Sequence, residues 1–312
     1  MSKHRDHGGG LDAAVARYGG EKSDWIDLST GINPVPYPIR DISPEAWQAL
    51  PDAAAQDALI QAARAFWDVP HDAAILAAPG ASSLIARIPA LWPKGHVDIQ
   101  TPTYNEHAAA FEAHGWTISP DKASVQVAVH PNNPDGRLWD AQEFTAPHVV
   151  IDESFCDVCP EESHIARASD GETIILKSFG KFWGLAGLRL GFAIGAPELI
   201  DRLNSLIGPW AVSGPALTIG AAALSDLDWA DQTRSRLSED ANRMDALLSS
   251  KGAKILGGTT LFRLYEVDDA RAWQQRLAQG QVWSRIFPYS DKWLRLGLPA
   301  PDAWDQLEAA LC

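Results

Sequence analysis

The sequence is short of cysteine and of positive charge. Its 312 residues include three cysteines, and 26 lysines and arginines stand against 40 aspartates and glutamates, a formal charge of −14. Three cysteines are too few for a disulfide framework, and a reducing compartment keeps them as thiols. The cationic residues form no run, which argues against a nucleic-acid partner, because affinity for a phosphate backbone rests on clustered cations. An anionic ligand must therefore be held by a few placed arginines or by backbone amides. No stretch approaches the roughly 18 consecutive apolar residues of a spanning helix. The polar, His- and Gly-rich first ten residues do not read as a secretory signal. These absences predict a cytoplasmic protein with neither a membrane nor a nucleic acid as partner.

What is present is a globular composition, 46% hydrophobic, in a chain long enough for about two domains at roughly 150 residues each. The thirteen tryptophans are spread from Trp25 to Trp304 without a repeating interval, so they read as packing residues. Residues 1–45 form an arm dense in glycine and proline, too interrupted to be one regular element. A helix with Leu59, Ala62, Ala63 and Phe66 on one face follows Asp52 and ends by Pro70. Apolar runs at residues 73–77, 96–99, 125–129, 149–151, 173–176 and 190–194 then read as strands, next to helix-like segments at 82–91 and 106–114. Buried strands interleaved with helices predict an α/β fold with a mostly parallel central sheet in a large domain. Helices take over from about Pro197, the clearest over 229–250. A small α+β unit closes the chain, with strands at 260–266, 282–286 and 293–296 and helices at 269–278 and from Asp302. The expected division is an N-terminal arm at 1–45 belonging to the small domain, a large domain at 46–210, and a linking helix with the small C-terminal domain at 211–312.

The most informative stretch is Leu176-Lys177-Ser178-Phe179-Gly180-Lys181-Phe182-Trp183-Gly184-Leu185-Ala186-Gly187-Leu188-Arg189-Leu190-Gly191. A lysine among apolar residues loses solvation of its ammonium form, which lowers its pKa and frees the amine for Schiff-base chemistry. This stretch resembles the cofactor-lysine loop of the fold type I pyridoxal-phosphate enzymes. The resemblance makes Lys181 the residue that carries pyridoxal 5'-phosphate, and Ser178 and Arg189 binders of its phosphate. Lys177 lacks partners at those offsets and takes a structural role.

Further motifs fall in the order that family requires. In His130-Pro131-Asn132-Asn133-Pro134-Asp135-Gly136, a good turn when read alone, the resemblance sets Asn133 against the cofactor ring hydroxyl. Val149-Val150-Ile151-Asp152 is an apolar strand ending in an acid, and Asp152 would keep the ring nitrogen protonated so that the ring withdraws electrons. Ala78-Pro79-Gly80-Ala81-Ser82-Ser83 is a turn between strand and helix, where Ala81 and Ser82 would complete the phosphate cup with backbone amides. In Thr101-Pro102-Thr103-Tyr104, Tyr104 resembles the aromatic residue that stacks on the ring.

The ends of the chain narrow the likeness. His7-Gly8-Gly9, Asp27-Leu28-Ser29-Thr30-Gly31-Ile32-Asn33-Pro34 and Trp293-Leu294-Arg295-Leu296-Gly297-Leu298-Pro299 resemble the L-threonine-O-3-phosphate decarboxylases of cobalamin synthesis, close to histidinol-phosphate aminotransferases. That likeness implies a carboxy-lyase acting on a small phosphorylated amino acid, as a homodimer. Arg295 would fork onto the substrate carboxylate. Arg285, with His7 and Gly8, would take the substrate phosphate, Asn133 would also face the substrate, and Gly31 would offer a backbone contact. Three positions depart from common family patterns: Phe155 where many aminotransferases have Tyr, Leu50 where many relatives reach the neighbouring subunit's cofactor with Tyr, and Gly31 where some decarboxylases have Asn. Cys156-Asp157-Val158-Cys159 lacks a second pair or a histidine to complete a zinc site, so no metal is expected. The glycines at 184, 187 and 191 do not match a dinucleotide fingerprint. An aminotransferase of the histidinol-phosphate type and a catalytically silent scaffold of the same fold are the alternative readings.

Overall fold

A computed structural model describes residues 7–312. Along the chain the strands are β1 (Ile26–Asp27), β2 (Ala74–Ala78), β3 (His96–Ile99), β4 (Thr117–Ile118), β5 (Val125–Val129), β6 (His148–Asp152), β7 (Thr173–Ser178), β8 (Gly191–Gly195), β9 (Lys254–Thr259), β10 (Phe262–Glu266), β11 (Val282–Trp283), β12 (Arg285–Phe287) and β13 (Ser290–Gly297). They fall into two compact units. The larger comprises Pro36–Asn133 and Arg137–Asp231; the smaller comprises the chain up to Val35, Pro134–Gly136 and Gln232–Cys312. The first six residues of the expected arm lie outside the described residues.

The larger unit is built on a seven-stranded sheet in the order β2-β8-β7-β6-β5-β3-β4. Strands β4, β3, β5, β6 and β7 run parallel to one another, and β8 lies antiparallel between β7 and β2. Every residue of β5 is buried, as is every residue of β8, so neither strand alternates; helices cover both faces of such a sheet. Its core includes Leu84, Ile88, Val97, Phe111, Val127, Val150, Ile174 and Leu203. The register sets Val129 opposite Asp152 and Asp152 opposite Leu176. The carboxyl ends of β2, β3, β5, β6 and β7 therefore share one edge of the sheet, the edge at which open α/β sheets bind ligands.

The smaller unit holds an antiparallel sheet, β12-β13-β10-β9, and the short parallel pair β1 and β11. Tyr18, Trp25 and Trp283 pack against one another with ring centroids 6.2–6.4 Å apart.

The expected strands of the larger unit appear within two residues of their predicted ends. The helix expected over 82–91 is instead an α-helix, Ala81–Ile85, and a 3-10 turn, Ile88–Leu91. Pro89 is the cause: it offers no N–H and disfavours helical geometry at the residue before it. The arm contains an unforeseen helix, Leu11–Tyr18, bounded by Gly10 and Gly19, both at positive φ. Strand β9 was also unforeseen; within it Gly258 sits at φ 128° against the backbone of Phe262.

Candidate active site

The edge of the larger sheet gathers the residues that the sequence singles out. Gly80, at φ 83°, turns the chain from β2 into the helix that begins with Ala81. A Cβ at Gly80 would collide with the Arg189 guanidinium, and one at Gly191 would collide with the Ala81 amide. Arg189 is therefore laid across the Gly80-Ala81 turn, and only glycine leaves room for it. Its backbone is held at φ 52°, a left-handed conformation costly for a non-glycine residue. One guanidinium nitrogen, Nη1, donates to the Ala186 carbonyl at 2.9 Å. Ser178 ends β7 directly opposite Gly191 in the last rung with β8, and its hydroxyl accepts the Gly180 amide at 3.2 Å.

Asp152 ends β6 and is buried at 2% exposure. His107 Nε2 lies 2.8 Å from one carboxylate oxygen, while the Ser154 amide and hydroxyl donate to the other at 3.0 and 2.5 Å. Burial alone would raise the Asp152 carboxyl, but the hydrogen bond and charge of His107, with the two bonds from Ser154, outweigh it and hold it below the usual carboxylate range. Tyr104 precedes the helix Asn105–Ala113, and its ring meets that of His107 edge-on at 6.1 Å. The loops carrying Tyr104 and Asn133 are tied together: the Thr103 hydroxyl donates to Asn132 Oδ1 at 2.6 Å, and Asn132 Nδ2 donates to the Pro102 carbonyl at 3.1 Å.

Lys181 is half-buried in the turn after β7, its Nζ 5.0 Å from the centre of the Phe155 ring. Lys177 points the other way, into the core. Its Nζ is 2.6 Å from Glu153 and 4.0 Å from Asp157, all three side chains being buried. Burial would raise the Glu153 carboxyl, yet the Lys177 ammonium holds it low; burial would lower Lys177, yet Glu153 and its neighbours hold it high. Asp157 also accepts from the indoles of Trp67 at 2.8 Å and Trp183 at 3.1 Å. This buried ion pair ties the end of β6 to the end of β7, the structural role expected of Lys177. Cys156 and Cys159 are free thiols beside it, and the groups around Lys177 and the Cys159 thiol push Cys156 up: the hydrogen bond with Cys159 leads, followed by burial.

Within the smaller unit a second group of predicted residues converges. Arg295, on β13, is buried and donates to the Ser29 carbonyl at 2.6 Å, with its guanidinium 5.1 Å from the Phe262 ring centre. Burial, and then the charge of Arg285, pulls its pKa down to about 10, so the cation is disfavoured and would gain from an anion. Arg285, on β12, donates to the His7 carbonyl at 2.6 Å. Gly8 lies against the Ser29 carbonyl, where a Cβ would collide, and the Gly9 amide donates to the Ser29 hydroxyl at 2.6 Å. Gly31 is buried two residues beyond Ser29.

The chemistry of the larger unit's set suits pyridoxal phosphate. A hydroxyl, a guanidinium and the first amides of a helix suit its phosphate. A charged buried carboxylate suits a protonated ring nitrogen, and a half-buried amine suits its aldehyde. The cradle at Gly80 and Gly191, which any Cβ would fill, has the tightness of a built anion site. Among the described residues no cluster suited to a metal ion is found. Sequence reasoning missed His107; the signal was its position three residues after Tyr104 at a helix start, which puts both on one face.

Similarity to known proteins follows the same lines. A threonine-phosphate decarboxylase of Sinorhizobium sp is 39% identical over 97% of this chain and 96% of its own length. One of Pseudomonas aeruginosa is 36% identical over 98% and 97%. The solved structure of a histidinol-phosphate aminotransferase from Sinorhizobium meliloti in complex with pyridoxal-5'-phosphate superposes with a TM-score of 0.80, covering 97% of this chain and 93% of that one at 19% identity, and so shares the fold. The family profile described as aminotransferase class I and II matches residues 23–310, and to that family this chain belongs.

Proposed function

We propose that this protein is a pyridoxal-phosphate-dependent carboxy-lyase that converts L-threonine O-3-phosphate into (R)-1-aminopropan-2-yl phosphate and CO2, a step of cobalamin biosynthesis, and that it works as a cytoplasmic homodimer. The observation that carries the reading is the 39% identity to a threonine-phosphate decarboxylase over nearly the whole of both chains. When bound, pyridoxal phosphate supplies an electron sink for the pair left as a bond to the substrate Cα breaks. Lys181 holds it through its amine, and Ser178, Arg189 and the amides of Ala81 and Ser82 hold its phosphate. Asp152, kept ionised by His107 and Ser154, keeps a proton on the ring nitrogen. Tyr104 covers the ring and Asn133 meets its hydroxyl. Arg295 takes the substrate carboxylate, Arg285 with His7 and Gly8 takes the substrate phosphate, and Gly31 gives a backbone contact. Holding the substrate at two charged ends would fix which Cα bond is presented for cleavage, an effect of orientation. Support for a dimer comes from Ile39, Trp47 and Leu50, large apolar side chains at 60–69% exposure that a second copy would cover.

The test is incubation of the holoenzyme with phosphothreonine. Release of CO2 without any keto-acid acceptor supports the reading. Turnover that requires 2-oxoglutarate and leaves the carboxylate in place overturns it in favour of an aminotransferase. Sedimentation at working concentration checks the dimer.

A further inference from the structure

We propose that His130 is a positioning residue: as a neutral imidazole it closes the base of the loop that carries Asn133 and so sets where Asn133 meets the cofactor. The inference rests on the reading that Asn133 contacts the cofactor ring hydroxyl.

His130 is the first residue after β5 and is 1% exposed. Its backbone N–H donates to the Asp152 carbonyl at 2.8 Å, which ties it to the strand end that bears the buried acid. Its ring is gripped at both nitrogens. Nδ1 lies 3.1 Å from the backbone nitrogen of Trp139, and Nε2 lies 2.7 Å from the Glu162 carbonyl oxygen. A backbone N–H can only donate and a carbonyl can only accept, so these partners require a bare Nδ1 and a protonated Nε2. The Trp139 end is itself fixed, since its indole donates to the Val129 carbonyl at 3.1 Å. The bond from the Trp139 backbone N–H to the His130 ring thus joins the two ends of residues 130–139. Inside that closure the Asn132 amide donates to the Arg137 carbonyl at 2.8 Å, directly beside Asn133.

A second proton on the ring would set Nδ1–H against the Trp139 N–H and open the closure. The groups facing the ring divide. Burial opposes the cation most strongly and the His164 ring, 4.5 Å away, adds to that; the Glu162 carbonyl and the Glu153 and Glu162 charges favour it. Arg137, 4.0 Å over the Trp139 ring, is paired with Glu143, and Arg167, 5.3 Å from the Phe144 ring beside His164, is paired with Asp170 at 3.3 Å, so each brings its own counter-charge to that wall. The balance lowers the His130 pKa from 6.5. The sign follows: the unfolded chain takes up the proton first, so the closure is intact above pH 6.5 and is lost as the pH falls below it toward the lowered value.

Two near-isosteric substitutions separate the two bonds. His130→Asn keeps an acceptor near Nδ1 for Trp139, and His130→Gln keeps a donor near Nε2 for Glu162. Retention of pyridoxal phosphate by the holoenzyme is measured by equilibrium dialysis from roughly pH 5 to 8, with thermal melting in parallel, beside Asn133→Ala. The expected result is that His130→Asn retains cofactor within about threefold of the native protein and loses its acid decline, whereas His130→Gln and Asn133→Ala each weaken retention about tenfold, the loss of one buried hydrogen bond. Weakened Asn133→Ala beside an unaffected His130→Gln overturns the role of His130 alone. So does an acid decline that persists unchanged in His130→Asn, and this second criterion holds even where His130→Gln fails to fold. An Asn133→Ala protein that retains cofactor as tightly as the native one overturns the underlying reading of Asn133 instead.

Discussion

Replacement of His107 by Phe tests the electrostatic core of the site. The substitution keeps an aromatic ring of similar bulk against Tyr104 but removes the nitrogen 2.8 Å from Asp152. The carboxylate, 2% exposed, would keep only the oxygen served by Ser154, and the other would face an apolar ring. Leaving a buried charge without its partner costs about 3–5 kcal/mol, which for a unit of this size lowers the melting temperature by roughly 6–20 °C. The cost exists only while Asp152 is ionised. In the native protein its pKa is lowered from 3.8, so its contribution is present above that pH and lost as the pH falls through the lowered value. In the variant the unrelieved burial favours protonation. The gap in melting temperature between native and variant apoprotein should therefore be wide near neutrality and close in acid. His107→Gln, which keeps a donor, should recover most of it. A variant that melts with the native protein at neutral pH, or a gap that stays constant down to acid, would refute the argument.

Lys181→Ala should yield protein from which borohydride traps no cofactor, seen as the missing mass of the adduct; an adduct on another lysine would contradict the assignment. Lys177→Met should destabilise by about 3–5 kcal/mol by stranding Glu153, and Lys177→Met combined with Glu153→Leu should recover part of that loss, because an apolar pair needs no counter-ion; calorimetry separates the two. Arg295→Lys should raise KM more than it lowers kcat, since an ammonium replaces a two-pronged donor with a point charge. Gly80→Ala should weaken phosphate retention, because the added methyl group displaces Arg189; dialysis of the cofactor checks it.

Much of the larger unit was legible because its strands, some of them such as β5 and β8 buried on both faces, stand out as short apolar runs between turn signals. Those at residues 96–99 and 125–129 are found over the same residues. The residues around Asp152 and Lys181 were legible from resemblance, since nothing local distinguishes Lys181 from Lys177. The structure separates them physically, sending one amine toward Phe155 and the other into an ion pair with Glu153. What the sequence hid were contacts between distant segments. His107 meets Asp152 across 45 residues, and the His130 ring meets Glu162 across 32; a single histidine carries no local mark of such a partner. The helix Leu11–Tyr18 was hidden by the glycines at its two ends, which read as disruption but act as its boundaries.

The aromatic cluster behind the turn that carries Lys181 has an optical consequence. Trp183 follows Lys181 by two residues, stacks on Phe179 at 5.1 Å and on Trp229 at 5.3 Å, and leads through Phe66 toward Trp67. The indoles of Trp183 and Trp67 are buried, so they emit at the blue end of the tryptophan range. A chromophore attached at Lys181 would lie close enough to drain their excitation, so the emission of the native protein would itself read out cofactor loading, without label or substrate.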